Sequence, residues 1–534
     1  MKPMPGTPSL LALGLCLGGA TPASAETPAL ADFGHQSLRV NGQPALGQRR
    51  CLIVLIDVTN DANAVFAFHP AQYFANLVFN PLAPRDITFA NPPLPGSVNG
   101  FLAENSGGRF AITRAVGAAH PDGFFGPLLL TAAERALITG GQDEAAEAKA
   151  ALAAATRAGL VLADFDADGN GWVGAHELLL LVVVDNPGDN GKARGVDFRP
   201  EGSSVRFAGS YCAVTQQASF ATLMHEMSHL LGTLDLYYGN PGGRPPDPRY
   251  YRGQSLVLNT ATTLMGPTIT VADNPSIYHL DPWHKLVFGW NEPRIVSMRT
   301  GGSFSLPAAR TARADGPILL YDPWRGTNEF FLIEYRTRSR NRGAGGDSYD
   351  SNVAGQGLFL WHVQQAADHK LEIVDSPFDL TTDTNGLVVV DLPFGNWVEG
   401  PPNPAAGNAP TPNGFWTGGQ TTFRLRWNDA PTWAGRSSSP AQIRVHPFTS
   451  LDDEVFIEVL TDAEIWVDFD YPGQPTSPET GDVSFPFNSL AEGVAQVGLG
   501  GRLSFKPGAQ NPAPITLSKP MTLQAPLGPV RLGP

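Results

Sequence analysis

Cysteine is almost missing from this chain. Its 534 residues contain three, Cys16, Cys51 and Cys212, which excludes a fold held together by disulfides. Long apolar runs are missing as well. The two strongest, "SLLALGLCLGG" from Ser9 and "LLLLVVV" from Leu178, fall short of the roughly 20 residues that a membrane-crossing helix needs, so no membrane span is expected. Positive charge is in deficit: 36 Lys and Arg stand against 50 Asp and Glu, a net charge of -14. That balance argues against nucleic acid as a partner and suits a chain whose carboxylates hold cations such as calcium.

What is present begins with Lys2, the apolar run from Ser9 and "ASA" ending at Ala25, the pattern of a secretory signal cleaved before Glu26. An exported protein is expected, in which Cys51 and Cys212 remain as one possible disulfide. The length exceeds what one hydrophobic core organises, so two or three domains are expected. After a signal over 1–25 and a short segment over 26–47, residues 48–295 mix the two kinds of element. "CLIVLIDVTND" reads as a strand buried on both faces, "HPAQYFANLVF" and "SVNGFLAENS" as short helices, and "TAAERALITGGQDEAAEAKAALAAATRAG" as helix broken at Gly140 and Gly141. From 296 to 463 strands such as "EFFLIEYRTR" and "GQGLFLWHVQ" alternate with turns, an all-β region. Residues 464–534 are rich in Pro and Gly, with the rhythm of one or two coils of a parallel β-helix.

The stretch "HEMSHLLGTLD" carries the chemistry. On a helix, positions four apart share a face, so His225 and His229 aim two imidazoles at one metal while Glu226 lies beside a metal-bound water. Ser219 is placed to cap such a helix. A catalytic zinc takes three protein ligands and keeps one position open. A thermolysin-like third ligand would be a glutamate further along, but none occurs between Glu226 and Glu292. In the metzincin-like arrangement a glycine turns the chain out of the helix and the next ligand follows three residues later; Gly232 and Asp235 occupy those places. The plainer reading of Asp235 is a loop cap or a group orienting a histidine. Met265 in "TATTLMGPT" is the candidate for a methionine turn under the metal, against a plain core role. Tyr237, Tyr238 and Tyr278 are open candidates for steadying an oxyanion, each equally a packing aromatic. His279, His284 and His362 read as structural histidines, with a place in the cleft lining as the alternative for His284.

The series "CLIVLIDVTND", "GFLAENSGGRF", "DFDADGNGWV", "MHEMSHLLGTLDLY", "LMGPT", "LDPWHKLVFGW", "EFFLIEYR" and "GQGLFLWHV", over about residues 48 to 363, resembles the immune inhibitor A-type metalloproteases, secreted bacterial zinc endopeptidases. The resemblance implies zinc on His225, His229 and Asp235, Glu226 as general base, and a β-sandwich after the catalytic domain. The chain departs from that family in leaving no room for a long inhibitory propeptide between Ala25 and the first strand.

"DFDADGNGWVGAHE" sets Asp164, Asp166 and Asp168 at alternating positions before Gly169, with Asn170 and Trp172 next in the series, the start of an EF-hand-like calcium loop. Counted from Asp164, the twelfth position is Ala175 rather than an acid, and Glu177 is the residue that swings in instead; the bland reading is an acidic turn. The expected fold is therefore α+β: a zincin/metzincin-like catalytic domain, a β-sandwich and a short β-rich tail. The expected activity is zinc-dependent cleavage of protein or peptide substrates, with the C-terminal β regions as candidates for surface or carbohydrate contact. A zinc hydrolase of a non-peptide amide, separable by assaying casein against small amides, and a non-catalytic adhesin or carbohydrate-binding protein are the rivals. Glu226 argues against the last, since a binding protein needs no base beside the metal.

Overall fold

A computed structural model of the chain describes residues 27–59, 71–80, 97–117, 122–141, 143–186, 190–233, 263–265, 278–311, 313, 315–323, 325–337, 349–350, 357–364, 372–373, 389–391, 422–426, 438–446, 453–461, 464–472, 479, 481, 483, 486–497, 501–510, 517 and 520–532. The signal segment lies outside these residues. Seven α-helices are found among them: α1 (Ala71–Phe79), α2 (Val98–Ser106), α3 (Ala132–Thr139), α4 (Ala146–Arg157), α5 (Phe220–His229), α6 (Pro282–Phe288) and α7 (Leu490–Gln496). No helix among them is long and apolar enough to cross a membrane.

Helices and strands interleave in the first half, around a seven-stranded sheet. Its centre is Gly47–Asp57, paired in parallel with Phe110–Arg114 and Phe124–Leu129 on one edge and Leu178–Val184 on the other. Leu178–Val184 pairs in parallel with Arg206–Thr215, and that strand pairs antiparallel with Gly191–Phe198. Both central strands are continuous apolar runs because both faces are covered. Cys51, Ile53 and Leu55 face one core with Phe101, Met224 and Trp283, whereas Leu52, Val54 and Ile56 face another with the alanines of α4. Gly140 ends α3 and α4 resumes at Ala146, so the break falls where the glycines stand.

Cys51 and Cys212 are free and buried. Cys51 pairs with Leu179 and Cys212 with Leu181, on opposite sides of the strand between them. Two strand spacings, roughly 9–10 Å, exceed the reach of a disulfide.

From Arg294 onward the described chain is strands with one short 3-10 turn until α7. A five-stranded sheet and a four-stranded sheet share a core of Ile318, Phe331, Ile333, Leu425, Ile443 and Ile457. In Glu329–Arg336 the alternation divides the faces: Phe331, Ile333 and Tyr335 enter that shared core, and Phe330 and Leu332 pack toward the first half of the molecule. The tail holds parallel pairs, Glu464–Val467 with Arg502–Phe505 and Arg502–Phe505 with Thr522–Gln524. Its helix α7, unread in the sequence, starts where the Ser489 hydroxyl accepts the Glu492 N–H and buries Leu490 and Val494 on those strands.

Candidate metal centre

α5 forms because its ends and its faces agree. Ser219 Oγ accepts the Thr222 N–H at 3.1 Å, and Phe220, Leu223, Met224 and Met227 all enter one core. After His229 the chain leaves the helix, turning at Gly232 with φ +100°, a conformation that favours glycine. That turn returns the Thr233 carbonyl to the helix end.

Both histidines are buried, and each is held from outside by a backbone carbonyl. His225 Nδ1 lies 3.0 Å from Leu264 O, and His229 Nδ1 lies 2.8 Å from Thr233 O. A carbonyl oxygen only accepts, so each Nδ1 carries the proton, and in the neutral ring Nε2 is then left as a lone pair. The two Nε2 atoms face each other at 3.2 Å. Two lone pairs at that distance repel unless a cation or a shared proton lies between them. The separation is close to that of two nitrogens each about 2.0–2.1 Å from one tetrahedral zinc, so the donor set fits the ion in atom type, tautomer and spacing.

Glu226 follows on the adjacent face, half-buried, against the first residue of the antiparallel strand Gly191–Phe198. A Cβ on Gly191 would stand 2.7 Å from both Glu226 Cγ and Thr222 Cγ2, so only glycine lets the carboxylate lie there. Beneath it, burial and then the Glu226 charge push the Cys212 thiol well above its ordinary value, which keeps that sulfur a protonated, inert core group.

Leu264 and Met265 lie in a turn and are buried in the core that also holds Met224 and Met227. Tyr278 belongs to that core too. Asp235, Tyr237 and Tyr238 lie outside the described residues. His284 and His279 are fully buried: His284 Nδ1 sits 2.6 Å from Asp281 Oδ2, and His279 Nε2 sits 2.6 Å from Glu104 Oε1. His362 pairs in register with Phe331, its side chain being outside the described residues.

Charged groups that the sequence reading passed over converge near α6. Arg336, fully buried, bonds Asp350 through Nε at 2.7 Å, Trp361 donates to Glu334 at 3.1 Å, and Lys285 Nζ approaches His279 Nδ1 at 3.4 Å. Burial pushes the Glu334 carboxyl up and the Lys285 amine down. Burial would raise Asp350 as well, but the Arg336 and His279 charges bring it below its ordinary value. The only advance signal was the alternation in "EFFLIEYR", which puts Glu334 and Arg336 on the face of Phe330 and Leu332, toward the first half of the molecule.

The acidic loop is organised two residues later than the count from Asp164. Asp166 accepts the N–H groups of Asn170 and Gly171, each at 3.0 Å, Asp168 accepts Asn170 at 3.1 Å, and Asn170 Oδ1 accepts Trp172 at 2.9 Å. Asp164 instead directs its carboxylate toward Gly117, where a Cβ would meet Oδ2 at 2.9 Å. Counted from Asp166, Gly171 with φ +86° is sixth and Glu177 is twelfth, the positions of the sharp turn and the closing acid in an EF-hand loop. Glu177 Oε1 accepts Ala167 N at 2.7 Å, and ligand atoms of Asp168, His176 and Glu177 lie within 4.8 Å of one another. The sequence contained this register, but the extra aspartate two positions ahead hid it.

No family model matches the chain, and no curated protein matches it.

Proposed function

We propose that this chain is a secreted zinc-dependent endopeptidase with a zincin/metzincin-type catalytic region, a β-sandwich formed by the five- and four-stranded sheets, and a β-rich C-terminal module. The observation that carries the reading is the pair of imidazoles whose Nδ1 atoms are turned to Leu264 and Thr233 carbonyls while their Nε2 atoms meet at 3.2 Å. The ordered series of segments resembling immune inhibitor A-type proteases agrees with it, as does the signal-like start at Lys2 to Ala25.

In this reading His225 and His229 hold zinc through Nε2, with Asp235 as the third ligand. Bound there, zinc polarises a peptide carbonyl and acidifies a water near neutral pH. Glu226, set by Gly191 and Thr222, takes the proton of the attacking water and delivers it to the leaving nitrogen. The Leu264 and Thr233 carbonyls keep both imidazoles in the ligating tautomer throughout. Calcium is assigned to the loop of Asp166, Asp168, Asn170, the Trp172 carbonyl and Glu177, with a structural role at the base of Leu178–Val184.

The test is casein cleavage by the purified protein with and without 1,10-phenanthroline, beside Glu226→Ala. Zinc in both proteins and cleavage in the parent alone is expected. Cleavage that survives both the chelator and the substitution would refute the proposal.

A further inference from the structure

We propose that Thr263, Asp281 and His284 are positioning residues for the His225 imidazole, acting through the backbone of Leu264; this rests on the zinc reading above. The carbonyl that orients His225 belongs to a residue 39 positions away in sequence, outside α5. What holds it is the start of α6. Leu264 N–H donates to His279 O at 3.0 Å, Met265 N–H donates to Thr263 Oγ1 at 3.3 Å, and Thr263 Oγ1 donates to Asp281 Oδ2 at 3.2 Å.

Asp281 is fixed in turn. Its Oδ1 accepts the His284 N–H at 2.9 Å as the cap of α6, and its Oδ2 lies 2.6 Å from His284 Nδ1. Burial alone would raise this carboxyl, but His284, through charge and hydrogen bonds, brings it below its ordinary value, so it stays an ionised acceptor. Trp283, Leu286 and Phe288 lock the helix into the core. Thr263 is 3% exposed, and Asp281 and His284 are 0% exposed, so water cannot take over either bond.

The hydroxyl of Thr263 is the narrow point of this chain of bonds. It has one proton, given to Asp281, and its lone pair receives Met265 N–H. Removing it takes away one of the two ties between the turn and the start of α6, leaving the Leu264 N–H bond to His279 as the other. Partners bonded directly to a metal ligand, as the Leu264 carbonyl would be, typically govern about 10- to 100-fold of metal affinity, and Thr263 stands one step further out, at the lower end of that range.

The test is zinc affinity by chelator competition on the parent, Thr263→Val and Thr263→Ser, with the unfolding midpoint of each zinc-free protein measured alongside. Thr263→Val is expected to bind zinc about 10-fold more weakly, and Thr263→Ser, which keeps the hydroxyl, to bind within about threefold of the parent. Thr263→Ala is read the same way should the valine variant fail to fold. A parent that binds zinc and hydroxyl-free variants that bind it equally well would overturn this inference alone. A parent that binds no zinc would overturn the zinc reading and this inference with it.

Discussion

In α5 the two histidines of the proposed zinc site are oriented from outside the helix: His225 and His229 turn Nδ1 to carbonyls of a distant turn and of the following loop, and their Nε2 atoms meet at 3.2 Å. In the loop from Asp166 to Glu177 the carboxylates bond the loop's own N–H groups, and Asp168 and Asn170 are exposed. In the zinc reading, the first site therefore rests on groups that the fold brings to the helix, and zinc would supply the chemistry there. In the calcium reading, the second site is closed by the loop's own carboxylates, and an ion there would chiefly add stability. Both sites also draw on the rest of the chain: Leu264 reaches His225 from 39 residues away, and the loop is joined by Asn41 at His176 and by Arg206–Phe207 at Trp172–Val173.

The sharpest way to break this contrast is to remove a ligand from α5. His225→Ala or His229→Ala should lower zinc affinity by more than the roughly 100-fold expected for an outer partner, with the unfolding midpoint of the zinc-free protein little changed; chelator competition and calorimetry read the two effects. Glu226→Ala should keep zinc and reduce casein cleavage by about 10²–10⁴-fold, as removal of a general base does. Gly191→Ala drives a methyl group to 2.7 Å from Glu226 Cγ, and is expected to lower cleavage by about 10- to 100-fold at unchanged zinc content.

The loop should answer differently. A cation at about 100 times its Kd stabilises by about 2.7 kcal/mol, so calcium removal or Glu177→Gln should lower the unfolding midpoint while zinc content holds. Loss of zinc on that substitution would mean that the two sites are not independent. The smallest effect concerns acid: Asp281 lies below its ordinary value in the fold, so its contribution is complete above about pH 4 and is lost as the pH falls through its folded value. Asp281→Asn should flatten that part of a stability-against-pH curve.

Much of the layout was legible because periodicity is local. "LLLLVVV" has the apolarity of a buried strand, and every one of its residues is buried in Leu178–Val184. His225 and His229 share a face by spacing alone. The acceptors Leu264 and Thr233 were not legible, since every residue has a carbonyl and only the fold selects which ones approach an imidazole. Gly191 gave no signal either, because a close approach between a strand and a helix is a tertiary fact. The Thr263 to Asp281 bond and the buried Arg336 were hidden for the same reason: each is an ordinary polar residue until its partner is brought in from elsewhere in the chain. Asp164 acted in the opposite way: it lengthened the local pattern by one acid, so the register counted from Asp166 was overlooked.

The most direct measurement is zinc K-edge X-ray absorption on the purified protein. One zinc per chain is expected, with two imidazole nitrogens and oxygen donors at about 2.0–2.1 Å, lost in His225→Ala. A sulfur neighbour, or a spectrum unchanged by that substitution, would contradict the zinc reading.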